Sequence, residues 1–184
     1  MVTTIKAIET PYKGYRMRSR LEARWGIYFD ALGCEWEFEK EGFDLGQAGK
    51  YLPDFWLSTV NMWAEVKPET LNATEMGKCE ALALATGNPV LLLVGTPSWQ
   101  AYDVIEVCQG WDWCRYAGIP DAPHEPHPFL TNVLLESQYL HSERRWFWAP
   151  GGGEEMCRDA ERAIMAARGA RFEHGETGQW RPRS

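Results

Sequence analysis

Hydrophobic and polar positions change period along the first half of the chain, and the changes mark out elements. After Ser19, residues Leu21, Trp25, Tyr28 and Leu32 recur at helical spacing, and Gly33 supplies a stop. From Glu35 the period drops to two. Trp36 and Phe38 face one way and Glu35, Glu37 and Glu39 the other, as in a half-buried strand. A turn-rich stretch runs from Gly42 to Gly49. Tyr51–Leu57 and Met62–Lys67 then read as two more strands, antiparallel because only Ser58-Thr59-Val60-Asn61 joins them. Pro68 closes the third strand, since it cannot donate to a ladder. Asn72 caps a helix over Ala73–Thr86 that ends at Gly87, and the apolar run Val90–Val94 reads as a buried strand.

The order helix, three strands, helix, strand predicts an α/β fold with a mixed central sheet flanked by helices. Residues 1–18 read as a polar leader, basic and aromatic from Tyr12 to Arg18. Beyond Pro97 the expected elements are a strand over Tyr102–Cys108 and another over Arg145–Ala149. A loop insertion rich in Trp, Pro and His separates them. Glu154–Arg168 reads as an amphipathic helix after Gly151-Gly152-Gly153, and the polar tail Gly175–Ser184 as mobile. The expectation is a single domain over 1–184: a core at about 12–95, a Trp-rich extension at 96–153, and a C-terminal helix and tail at 154–184.

Composition adjusts this picture in three places. Ten tryptophans in 184 residues imply a broad core or a partly aromatic binding surface. No apolar run approaches the roughly 18–20 residues needed to span a bilayer, and the first residues lack the regions of a signal peptide. The expected location is therefore cytoplasmic, with no membrane partner. Five cysteines without a CxxC pair read as reduced and mostly buried, and His124 and His127 lack the companion spacing of a zinc site. The net charge of −7 argues against a nonspecific duplex binder. Basic residues are nevertheless clustered, with Lys13, Arg16, Arg18, Arg20 and Arg24 within twelve positions.

The chemistry is concentrated in the hairpin. Period-two alternation places Trp63, Glu65 and Lys67 on one face of the third strand and the apolar set Met62, Ala64 and Val66 on the other. The apolar set belongs in the core, so the acid and the lysine project together from the opposite face. Asp54, after Pro53 on the preceding strand, comes alongside. Two carboxylates within reach of one cation, beside an ammonium, suit phosphodiester hydrolysis. Mg²⁺ held by Asp54 and Glu65 would polarise a phosphate oxygen and lower the pKa of the attacking water. The flanking carboxylates keep Lys67 protonated, which favours electrostatic stabilisation over a general-base role.

Pro53-Asp54, ten residues, then Glu65-Val66-Lys67 resembles the signature of the PD-(D/E)xK nuclease superfamily. The segment Arg18-Ser19-Arg20-Leu21-Glu22-Ala23-Arg24-Trp25 is similar to the first helix of its small phage and prophage members. The resemblance covers about residues 12–95 and implies a restriction-endonuclease-like core. It implies a Mg²⁺-dependent deoxyribonuclease, with Mn²⁺ as substitute, that leaves 5′-phosphate and 3′-hydroxyl ends. Asp54 and Glu65 would be metal ligands, the Val66 carbonyl would complete the shell, Lys67 would serve catalysis, and Glu22 would be an additional acid at the metal. DNA would be the partner, whether single-stranded, duplex or branched, and the chain would act in phage or mobile-element processing. A homodimer or a larger assembly is compatible with that role.

Plainer readings stand beside these. Asp54, Glu65 and Lys67 could be solvated charges on an exposed sheet face. Ser19-x-x-Glu22 also fits a capping box, which competes for the same carboxylate. Arg16, Arg18 and Arg20 oppose the helix dipole and could either meet phosphates or remain solvated. Lys78 on the second helix faces either the site or solvent, and Trp111, Trp113, Trp146 and Trp148 either stack unpaired bases or pack. The rival to an enzyme is a non-catalytic nuclease-fold module that binds nucleic acid or a protein partner.

Overall fold

A computed structural model describes residues 7–108, 127–134 and 154–172. The strands are β1 (Thr10–Tyr12), β2 (Tyr15–Met17), β3 (Trp36–Phe38), β4 (Phe43–Asp44), β5 (Lys50–Tyr51), β6 (Phe55–Leu57), β7 (Met62–Lys67), β8 (Val90–Val94), β9 (Ala101–Cys108) and β10 (His127–Leu134). The helices are α1 (Arg20–Ala31), α2 (Ala73–Thr86) and α3 (Glu154–Gly169). Six strands form the central sheet in the order β10-β9-β8-β7-β6-β3. It is mixed: β7 runs parallel to β8 through the α2 crossover, and the other pairs are antiparallel.

The sheet is covered on both sides, and its strands divide their side chains accordingly. On one side Met62, Ala64, Val66, Leu91, Leu93 and Val104 pack with Ala23, Trp25, Ile27, Tyr28 and Phe29 of α1 and with Ala163 and Ala167 of α3. On the other, Trp63, Val90, Leu92, Ile105 and Val107 pack with Cys79, Leu82 and Ala83 of α2. The face opposite Met62, Ala64 and Val66, which the plainer reading took as exposed, is therefore a second core. Phe55 is fully buried on the α1 side, edge-on to Phe29, Trp36 and Phe38. Phe55→Ala is expected to lower the unfolding free energy by about 3–5 kcal/mol, read from urea denaturation.

Both internal helices begin and end on sequence-encoded signals. The Ser19 hydroxyl accepts the Glu22 amide at the start of α1. Asn72 accepts the amides of Thr74 and Glu75 at the start of α2, and the Glu75 side chain returns to the Asn72 amide, completing a capping box. Gly87 ends α2 in the left-handed region at φ 69°.

Three expectations need correction. Part of the polar leader is a hairpin, β1–β2, turning at Lys13 and Gly14, both with positive φ as the tight primed turns require. Its Tyr12 and Met17 are buried against α1, where the absence of a side chain at Gly26 permits close approach. The strand expected over Tyr51–Leu57 is two strands. β5 pairs with β4 in a small separate hairpin, and the chain leaves the ladder at Leu52 and Pro53 before β6 begins. The loop insertion expected after Cys108 contains β10, paired along its length with β9. Pro128 is tolerated there because β10 is the edge strand. The strand expected at Arg145–Ala149, Trp111, Trp113, Trp146, Trp148, His124 and the tail lie outside the described residues. Among the described residues no helix is long and apolar enough to cross a membrane.

Candidate functional site

The site forms where two paired strands part. β6 and β7 pair through Leu57↔Met62, Trp56↔Trp63 and Phe55↔Ala64. One residue further on, the Asp54 side chain takes over from the ladder, its Oδ2 accepting the Val66 amide at 2.8 Å. The Asp54 carbonyl turns the other way and accepts the Glu39 amide at 2.9 Å. Pro53 has no N–H to lose at this fork. Asp54 is thereby brought close enough to Glu65 for that carboxylate's charge to act on it.

Glu65 is 4% exposed and Asp54 5% exposed, so these carboxylates are not solvated surface charges. Glu65 Oε1 pairs with Lys67 Nζ at 2.9 Å, and Glu65 Oε2 accepts the Tyr51 hydroxyl at 2.7 Å. Lys67 also reaches Glu75 Oε1 at 3.6 Å, which joins the first turn of α2 to the site. Burial, the facing charge of Glu65 and a smaller contribution from Glu22 hold the Asp54 carboxyl well above its usual range, against the Val66 amide and Arg18. Burial opposes the charge on Lys67, but the hydrogen bond and charge of Glu65, with Asp54 and Glu75, outweigh it and raise its pKa. Lys67 is thus held as an ammonium.

Glu22 reaches this site through its charge, while its oxygens serve the helix start. Its Oε1 accepts the Ser19 hydroxyl and its Oε2 the Arg18 amide, both at 2.8 Å. It is 7% exposed, and burial raises its pKa despite Ser19 and Arg18. Glu22→Gln keeps the shape but can accept only one of these two donors. The expected cost is about 1 kcal/mol, read from thermal melting.

The basic cluster is largely engaged by acids of the same chain. Lys13 pairs with Asp30, Arg16 with Glu9 and Arg18 with Glu39. Arg18 also lies near enough to Asp54 and Glu22 for its charge to act on both. The Arg24 guanidinium donates to the carbonyls of Ala167 and Arg168, so it caps the C-terminus of α3 and ties that helix to α1. Arg20 is half-buried on the first turn of α1, and Lys78 is half-buried on α2 beside Cys79. Neither Arg16 nor Lys78 contacts a site carboxylate.

Reading the sequence alone missed Tyr51, Glu75, Cys79 and Glu39. Glu75 carried a signal, since Asn72-x-x-Glu75 is a capping-box spacing. The others arrive through the β4–β5 hairpin, the second core and the strand fork, none of which leaves a local pattern. Among the described residues, no three His, Cys, Asp or Glu side chains are grouped so as to hold a metal ion by themselves. No protein-family model matches the chain, and no significant match is found among curated proteins or solved structures.

Proposed function

We propose that this chain is a metal-dependent deoxyribonuclease with a restriction-endonuclease-like core. It hydrolyses phosphodiester bonds to 5′-phosphate and 3′-hydroxyl ends during phage or mobile-element DNA processing in the cytoplasm. One observation carries the reading: Asp54 and Glu65, both buried, converge at a strand fork with Lys67 paired to Glu65. Buried like charges of this kind are costly unless a cation joins them. A solvated surface pair would not be 4–5% exposed.

The donor set fits a hard divalent cation. Asp54 and Glu65 supply carboxylate oxygens, and the Val66 carbonyl lies between Glu65 and Lys67 on the same strand. Mg²⁺ takes few protein ligands and keeps several waters, so a site without a third grouped side chain is compatible with it, and Mn²⁺ would substitute. When bound, the ion would supply Lewis-acid polarisation of the phosphate and a more acidic attacking water. The chain's own residues do the rest. The Val66 amide fixes the Asp54 carboxylate, Glu65 and Glu75 fix the Lys67 ammonium, and that ammonium offsets the negative charge gathering on the phosphate. Glu22 adds negative charge near Asp54 and tightens the site's demand for a cation. Phosphate contacts by Arg16 and Arg18 would replace their pairs with Glu9 and Glu39, and Arg20 and Lys78 would be further contacts.

Incubation with single-stranded, duplex and branched DNA in Mg²⁺ or Mn²⁺, beside Asp54→Ala and Lys67→Ala, tests the reading. Cleavage of at least one substrate by the wild type and loss in both variants is expected. Binding without cleavage would make the chain a nuclease-fold module that only recognises nucleic acid, and equal cleavage by the variants would move the active site elsewhere.

A further inference from the structure

Tyr51 occupies a place that neither the motif nor the strand fork accounts for. It is carried by β5 of the small β4–β5 hairpin, which is not part of the central sheet. That hairpin lies over the α2 side of the sheet: Phe43 meets the Trp63 ring edge-on at 5.2 Å, and Leu45 and Tyr51 pack against the same core. The effect is to bring the Tyr51 hydroxyl between Glu65 and α2. The hydroxyl donates to Glu65 Oε2 at 2.7 Å and lies 3.4 Å from Cys79 Sγ. Glu65 is thereby held from two sides, by Lys67 on Oε1 and by Tyr51 on Oε2.

We propose that Tyr51 is the positioning residue for Glu65, fixing this carboxylate's orientation toward a divalent cation shared with Asp54. The inference rests on the metal-site reading above and goes beyond it by assigning the Tyr51 hydroxyl a part in metal affinity. A flexible glutamate must lose rotamer freedom to bind a metal, and a fixed donor on one oxygen removes that cost beforehand. Partners of metal-ligating groups typically contribute 10–100-fold in metal affinity. Tyr51 is not itself a ligand: its hydroxyl proton is committed to Glu65 Oε2.

The test is calorimetric titration of Mn²⁺ into the full chain as wild type, Tyr51→Phe and Phe43→Leu. Tyr51→Phe keeps the ring and removes only the hydroxyl. Phe43→Leu loosens the same hairpin against Trp63 without touching a site carboxylate. Mn²⁺ affinity about 10–100-fold weaker in Tyr51→Phe, with Phe43→Leu within about twofold of wild type, is expected. The rise in melting temperature on adding Mn²⁺ should shrink in Tyr51→Phe alone. Unchanged affinity in Tyr51→Phe beside a wild type that binds would overturn the Tyr51 role and leave the metal site standing. So would equal weakening in Phe43→Leu, because the effect would then be general loosening. A wild type that binds no Mn²⁺ overturns the metal site and this role together. Should Tyr51→Phe fail to fold, Tyr51→Met decides, since it fills part of the space without a hydroxyl. Affinity about 10–100-fold weaker there supports the role and unchanged affinity contradicts it.

Discussion

Asp54→Asn should abolish Mg²⁺-dependent cleavage while making the metal-free protein more stable. The loss follows from removing one of two carboxylates that would hold the ion, and a fall on the order of 10³-fold or more is expected. The gain follows from the direction of the Asp54 shift. Its folded pKa is raised by burial and by Glu65, so its stabilising contribution belongs to the protonated form. That contribution is complete below the unfolded carboxyl value, about 4, and is lost as pH rises through the higher folded value. At neutral pH Asp54 is therefore a net cost to the metal-free fold. Asparagine removes the charge, and its carbonyl oxygen can still accept the Val66 amide that Asp54 Oδ2 accepts. A stability gain of about 1–2 kcal/mol is expected without metal, with about 2–4 °C in melting temperature for each kcal/mol. Added Mg²⁺ or Mn²⁺ should reverse the ranking by stabilising the wild type and not the variant. Melting curves with and without the ion measure both halves.

Lys67→Met should separate catalysis from metal binding. Methionine preserves the apolar stem and deletes the ammonium. With that charge gone, Glu65 loses its 2.9 Å partner and Glu75 its 3.6 Å partner. Neither loss removes an oxygen ligand from the proposed site, and Glu65 becomes less neutralised. Mn²⁺ affinity should hold or tighten, whereas cleavage should fall by about 10²–10³-fold through loss of charge stabilisation on the phosphate. Parallel loss of affinity and cleavage would instead make Lys67 a structural partner of Glu65.

The part of this protein that was legible in its sequence is the part written in local periods and caps. Met62–Lys67, Ala73–Thr86 and Val90–Val94 are found at the boundaries their patterns predicted, because Pro68, Asn72 and Gly87 are strong local punctuation. The pairing of β6 with β7, and with it the approach of Asp54 to Glu65, followed from the short Ser58–Asn61 connection. What escaped was tertiary. Trp63, Glu65 and Lys67 read as an outward face because alternation cannot reveal that α2 and the β4–β5 hairpin cover it. Tyr51 read as part of the strand bearing Asp54, although Pro53 separates them into different sheets. Glu22 fitted both a capping box and a site; its oxygens accept the Ser19 hydroxyl and the Arg18 amide rather than the Ser19 amide of a capping box, while its charge reaches Asp54. The β1–β2 hairpin turns on Lys13-Gly14, a weaker signal than Asn-Gly, and so passed as a leader.

The most direct measurement is the rate of cleavage of end-labelled DNA by the purified wild type in Mg²⁺, set against the same reaction with chelator and against Asp54→Asn. New 5′-phosphate ends should appear only in the wild type with Mg²⁺. Cleavage that persists with chelator or in Asp54→Asn, or no cleavage of single-stranded, duplex or branched DNA by the wild type, would contradict a metal-dependent nuclease built on Asp54, Glu65 and Lys67.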